Sequence, residues 1–318
     1  MSNHMQENKP RMKNNSKDEK LKKMIVYLIA FLFILIIIER TQEKTISKDK
    51  LTLIVQNQNI TESLKDSIIE NNNAIYLSFD DVKKVFDSNL FIEEKSNLII
   101  TTGDKKVAAF TVESQTSEIN GSKVEMNVSP FKTENGKIYL PISELKNVYD
   151  MEYSYIAETK NIVIDYFSKE LKKADVVKDS KVKNSTSKLS KTIDKVEKGE
   201  SVVFISSKNG WAKIRTKTGM IGYLRDNKVN NIRTERENFE DNKSTTENQN
   251  YLEKSLNKVS LATYTERKEL IQNIIFEAVK DGYKAVKVSC ENKNDDFNRF
   301  KIESKPMLKE CGINIEFE

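Results

Sequence analysis

The run Ile75-Tyr76-Leu77-Ser78-Phe79-Asp80-Asp81-Val82-Lys83-Lys84-Val85-Phe86-Asp87 recurs imperfectly as Ile138-Tyr139-Leu140-Pro141-Ile142-Ser143-Glu144-Leu145-Lys146-Asn147-Val148-Tyr149-Asp150. An internal repeat constrains architecture more than any local propensity does. Each copy opens on a short apolar strand, 75–77 or 138–140, and then meets Ser78 or Pro141, residue types that start helices. Apolar residues follow at i, i+3, i+6 and i+7 (Phe79, Val82, Val85, Phe86; Ile142, Leu145, Val148, Tyr149) and gather on one helical face. Two strand patterns around a polar turn come next, at 89–101 and 152–166, so each copy closes with a hairpin. The reading predicts an α+β module with an internal repeat over residues 51–166.

With its Tyr139-Leu140-Pro141 core, the second copy resembles the copper amine oxidase N-terminal-like domain, a stalk domain; Ser78 stands where that family prefers Pro. The resemblance implies a spacer or interaction module. It implies no copper, because the segment has neither His nor Cys to supply the imidazole or thiolate that copper prefers. No metal and no cofactor is expected anywhere in the chain.

Composition sets the limits. At 318 residues, 37% hydrophobic and 32% charged, the chain suits several small modules on linkers better than one large globule. Its 53 basic and 48 acidic residues are mixed rather than blocked, so no nucleic-acid partner is expected. The mild Lys excess suits an anionic envelope polymer or lipid surface. The single His, His4, lies near the start, which leaves the rest of the chain without a Ser-His-Asp triad, a Cys-His pair or a typical zinc site.

Residues 24–38, MIVYLIAFLFILIII, carry no charge, Gly or Pro. They predict a transmembrane helix of roughly 22 Å, extended by Leu21 and snorkelling Lys22 and Lys23 toward the ~30 Å a bilayer requires. A secretory signal is the alternative, but residues 39–43, ERTQE, offer no small-residue cleavage site. Lys9, Arg11, Lys13, Lys17, Lys20, Lys22 and Lys23 outnumber Glu7, Asp18 and Glu19, so residues 1–23 are expected to be a cytoplasmic tail, and 1–20, polar and without an apolar period, to be disordered. The expected localisation is a single-pass cell-membrane protein with its C-terminal domains extracellular.

Residues 172–230 carry Lys181-Val182-Lys183, Glu197-Lys198-Gly199-Glu200, Asn209-Gly210-Trp211-Ala212-Lys213-Ile214-Arg215 and Gly219-Met220-Ile221-Gly222-Tyr223-Leu224. Lys208-Asn209-Gly210 predicts a hairpin turn, Trp211 and Ile214 lie on alternating strands, and Gly222 marks a corner or bulge. The segment resembles a bacterial SH3 domain, which implies a small all-β barrel that binds peptidoglycan. Ser and Thr within 184–190 replace that family's Pro-containing phrase. Trp211, Arg215 and Tyr223 are the candidate ligand-binding residues; for Trp211 and Tyr223 a place in the barrel core is the competing reading.

After a polar linker, 231–256, residues 257–318 read as helix, strand, helix, strand. Arg267, Ile271, Ile274, Ala278, Gly282-Tyr283, Phe297, Phe300, Leu308 and Gly312-Ile313 resemble a fragment of a glycoside hydrolase family 18 barrel, an α/β segment of TIM-barrel type. That family ends its central strand in D-G-x-x-x-D-x-E. Here Glu291 matches the proton donor, but Lys284, Ala285 and Ser289 replace Asp, Gly and Asp. Fewer than 70 residues also fall far short of the ~250 that close such a barrel. Cys290 and Cys311, at opposite ends of neighbouring parallel strands, are too far apart to bridge and are expected to be free thiols.

The sequence therefore predicts a membrane-anchored, extracytoplasmic cell-wall (peptidoglycan) binding or scaffold protein without catalytic activity. The alternative is a family 18-type peptidoglycan or chitin hydrolase with Glu291 as general acid.

Overall fold

In each copy of the repeat the strand runs unbroken into its helix. Strand Ala74–Ser78 leads into α1 (Phe79–Val85) and strand Ile138–Pro141 into α2 (Ile142–Tyr149). The computed structural model of the chain describes residues 24–25, 50–236 and 250–318. Ser78 Oγ caps α1 by accepting the Asp81 N–H at 3.2 Å, whereas Pro141 opens α2 with no side-chain cap, its ring fixing φ at −73°. The two strands pair antiparallel with Leu77 opposite Leu140, flanked by Ile69–Asn71 and Phe131–Lys132. Ile75, Leu77, Leu140, Val82, Leu145 and Val148 then share one core, each worth about 1.5–3 kcal/mol when fully buried. A second four-stranded sheet sets Asn161–Tyr166 between Met151–Ile156, antiparallel, and Thr52–Val55, parallel, with Gln58–Asn59 at its edge.

The sequence reading assigned no strand between residues 102 and 125; the structure places three there. With Phe91–Glu93 and Leu98–Thr102, the strands Val107–Thr111, Thr116–Ile119 and Ser122–Glu125 make a five-stranded antiparallel meander. Alternate side chains of a strand face opposite ways. Ile99, Ala108 and Phe110 therefore join the core of the repeat, while Ile100, Val107 and Ala109 join a second core built with the C-terminal segment.

That segment is β-α-β-α-β. Strands Tyr251–Ser255, Ala285–Ser289 and Asn314–Phe317 form a parallel sheet with Ala285–Ser289 in the centre. The helices α3 (Tyr264–Lys280) and α4 (Asp295–Glu310) connect them. A capping box of Thr263 and Glu266 starts α3, and Asn294 Oδ1, accepting the Phe297 N–H at 3.0 Å, starts α4. Arg267 of α3 is fully buried: its Nε and Nη2 donate to the Glu303 carboxylate of α4 at 2.8 and 3.0 Å, and Nη1 donates to the Leu261 carbonyl at 2.9 Å. Cys290 and Cys311 are both free.

The third part is a seven-stranded antiparallel sheet. Its strands are Leu171–Val176, Ser180–Lys183, Thr192–Val196, Ser201–Lys208, Trp211–Arg215, Ile221–Arg225 and Val229–Arg236. Val182, Val202, Ala212, Ile214 and Leu224 fill its core. Asn209 and Gly210 take φ of 53° and 74°, the two positive values a tight hairpin between twisted strands requires. Gly222 marks a close strand approach rather than a bulge: a Cβ there would lie 2.6 Å from the Lys183 carbonyl oxygen, and the pairing register passes it without a shift. Asp165 and Arg215 tie this sheet to the repeat module through two hydrogen bonds of 2.9 and 2.5 Å, both side chains 6% exposed. The described residues from 50 onward fall in one compact unit.

Two expectations are overturned. The expected multidomain class, with a transmembrane helix and a TIM-type fragment, gives way to a mostly β chain of twenty-three strands and four α-helices among the described residues. No TIM barrel is evident; the C-terminal sheet has three strands and two open edges, and its helices complete their core against the meander instead of against further barrel units. Among the described residues no helix is long and apolar enough to cross a membrane, which overturns the single-pass localisation and the sidedness drawn from it. The stretch 24–38 lies outside the described residues except Met24 and Ile25, which are helical and exposed. The tail, 1–23, lies outside the described residues as well.

Candidate functional site

The alternation of Trp211-Ala212-Lys213-Ile214-Arg215 sends Ala212 and Ile214 into the core and the other three side chains to the opposite face. On the neighbouring strand Leu224 goes inward, leaving Ile221, Tyr223 and Arg225 outward. Register brings these together in rows: Lys208 beside Trp211 beside Arg225, Ser206 beside Lys213 beside Tyr223 beside Lys183, and Arg215 beside Ile221. Trp211, Arg215 and Tyr223, the three residues singled out from the sequence, thus share one face.

Their environments differ. Trp211 is buried yet belongs to no core cluster, because the Arg225 guanidinium lies over its ring at 4.2 Å from the centroid. Tyr223 is half-buried between two lysines. Arg215 is spent on Asp165 and offers no free donor pair to a ligand. Lys183 Nζ donates to the Ser190 carbonyl at 2.9 Å and to Thr192 Oγ1 at 3.1 Å. Among the described residues, Lys208, Lys213 and Arg225 have no carboxylate partner. These cations were missed in the sequence, although the same two-residue period that marks Trp211 and Arg215 also selects Lys213 and, across the hairpin, Lys208. The face can hold anions along a strand at about 6.7 Å per outward residue, beside two aromatic side chains.

A cleft of about 320 Å³ lies between this sheet and the repeat module, lined by Glu152, Asp165, Lys173 and Arg215 among others. Its buried charges satisfy each other. Glu291, the family 18-type candidate, is exposed just beyond strand Ala285–Ser289, and its backbone N–H donates to Asn257 Oδ1 at 2.6 Å. Ser289, at the position of the missing Asp, donates from Oγ to the Lys254 carbonyl at 3.4 Å. Lys287 on the same strand is ion-paired to Glu318 at 2.5 Å, which raises its pKa above the ordinary lysine value.

The strand-helix repeat and its flanking sheets are the geometry of a recognisable domain. Residues 54–164 match the copper amine oxidase N-terminal domain. This copper amine oxidase N-terminal-like domain takes in strands from three of the sheets and both repeat helices, but none of the residues on the cationic face. The copper in the family's name does not fit the donor set: residues 54–164 contain no His or Cys, and among the described residues no group of three potential ligands could hold a metal ion. Compared with curated proteins and with solved structures, the chain matches none.

Proposed function

We propose that the chain is a non-catalytic binding or scaffold protein that holds an anionic cell-wall glycopolymer, peptidoglycan, across the outward face of strands Trp211–Arg215 and Ile221–Arg225. The observation that carries this reading is the set of cations without carboxylate partners, Lys208, Lys213 and Arg225, interleaved with Trp211 and Tyr223. Peptidoglycan presents what such a face recognises: carboxylates on its peptides for the cations, and sugar rings for the half-buried Tyr223. The resemblance of residues 172–230 to bacterial SH3 domains supports the same ligand, and the repeat module serves as the rigid support to which Asp165 and Arg215 fasten the sheet.

The glycosidase alternative through Glu291 has less behind it. A family 18-type hydrolysis needs a second carboxylate to hold the acetamido group, and loss of one such interaction costs about 3–4 kcal/mol of transition-state stabilisation. Ser289 and Lys287 occupy the strand where it would stand. Co-sedimentation with purified sacculi tests the proposal: the chain is expected to pellet with them, and Lys213→Glu with Arg225→Ala to weaken binding about tenfold, at roughly 1 kcal/mol or less per exposed charge. Equal pelleting by the double variant, or release of reducing sugar from the sacculi, would overturn it.

A further inference from the structure

Helix α4 carries Lys301, Lys305 and Lys309 four residues apart, and all three line a groove of about 600 Å³. At 1.5 Å per residue, their stems leave the helix about 6 Å apart along one stripe. Asn89, Thr102, Gly103 and Asp104 of the repeat module form the facing wall. The groove exists only because the second core docks α4 against the meander, so it lies outside anything legible in either segment alone.

Its charge balance is one-sided. Asp104 is the only carboxylate among the lining residues, and it is taken by Lys309 at 2.7 Å. Lys301 and Lys305 have no carboxylate partner among the described residues; their ammonium groups lie 5.6 and 6.0 Å from the centroid of one ring, Phe317. Two like charges on one aromatic ring favour an added anion. The side-chain amides of Asn89 and Asn298 also line the groove without a hydrogen bond among the described residues. Two lysines without a carboxylate partner and two asparagine amides without a hydrogen bond thus line one groove, and the lysine ammonium, a point charge, is a common phosphate binder.

We propose that this groove is a second binding site, for a linear phosphate-bearing polymer whose charges run along α4. It is separate from the sheet face and does not depend on the peptidoglycan reading. The probe is fluorescein-labelled inorganic polyphosphate, titrated against the full chain and against the Lys213→Glu/Arg225→Ala chain, in which the sheet face is disabled. Binding is expected in both. In the disabled background, Lys301→Ala with Lys305→Ala is expected to weaken it about tenfold and to lower the slope of log affinity against log salt by about one per lysine. Lys301→Arg with Lys305→Arg is expected to retain binding, and Lys280→Ala at the exposed end of α3 to leave it unchanged. The site is overturned if the disabled chain does not bind, or if the Lys301/Lys305 alanine pair binds as the parent does. Competition by orthophosphate as effective, per phosphate, as the polymer would overturn its linear character. Sacculus binding can fail while this site stands, and the reverse.

Discussion

Replacing Arg267 by Met keeps bulk at the centre of the C-terminal segment and removes its charge. The partner left behind, Glu303, is 1% exposed and loses two hydrogen bonds, of 2.8 and 3.0 Å. Breaking a buried pair from one side costs about 3–5 kcal/mol, which for a unit of this size lowers Tm by on the order of 10 °C. Burial pushes the Glu303 carboxyl above its ordinary 4.5, against the opposing pull of Arg267. A carboxyl raised by folding lends stability that is fully present below 4.5 and is lost as pH climbs through the raised value. Without Arg267 that value rises further, so the deficit of Arg267→Met should be greatest at pH 7 and shrink as pH falls toward 4.5. Arg267→Met with Glu303→Leu should recover most of the loss, since a well-packed apolar pair avoids the desolvation altogether. Urea unfolding followed by circular dichroism at pH 7 and pH 5, with hydrogen exchange on α3 and α4, measures all three. A deficit below 1 kcal/mol at pH 7, or one equal at both pH values, would refute the assignment of Arg267 and Glu303 as the pair that locks the two helices.

Two further substitutions address the sheet. Asp165→Ala leaves Arg215 buried without its carboxylate and should cost about 3 kcal/mol, read from the fluorescence of Trp211, the sole tryptophan. Gly222→Ala would drive a Cβ to 2.6 Å from the Lys183 carbonyl oxygen and should cost about 1–3 kcal/mol in thermal unfolding, whereas a tolerated alanine would show that the strands can separate there.

The repeat was legible because its strand, helix start and apolar period sit together in thirteen residues, twice over, and the helices appear at Phe79–Val85 and Ile142–Tyr149 as that pattern requires. The meander was not. Thr116–Ile119 and Ser122–Glu125 are four-residue strands with little apolar content, and Ile99 next to Ile100 gives no alternation because its two faces enter different cores. Tyr251–Ser255, YLEKS, looks like linker in sequence since an edge strand of a parallel sheet needs few apolar residues when its backbone is paired on one side only. On the candidate face the strand period located Trp211 and Tyr223, but Arg215 looked available because its partner, Asp165, is fifty residues away in another module. The membrane span is overturned because no helix among the described residues is long and apolar enough to cross a membrane, and the barrel fragment because its three-stranded sheet shares its core with the meander.

Backbone amide shifts of the full chain, followed during titration with soluble peptidoglycan fragments, test the central claim most directly. Perturbations concentrated on Trp211–Arg215 and Ile221–Arg225, absent from the Lys213→Glu/Arg225→Ala chain, are the predicted result. Saturating fragments that leave those two strands unshifted, or that shift the residues around Glu291 instead, would contradict it.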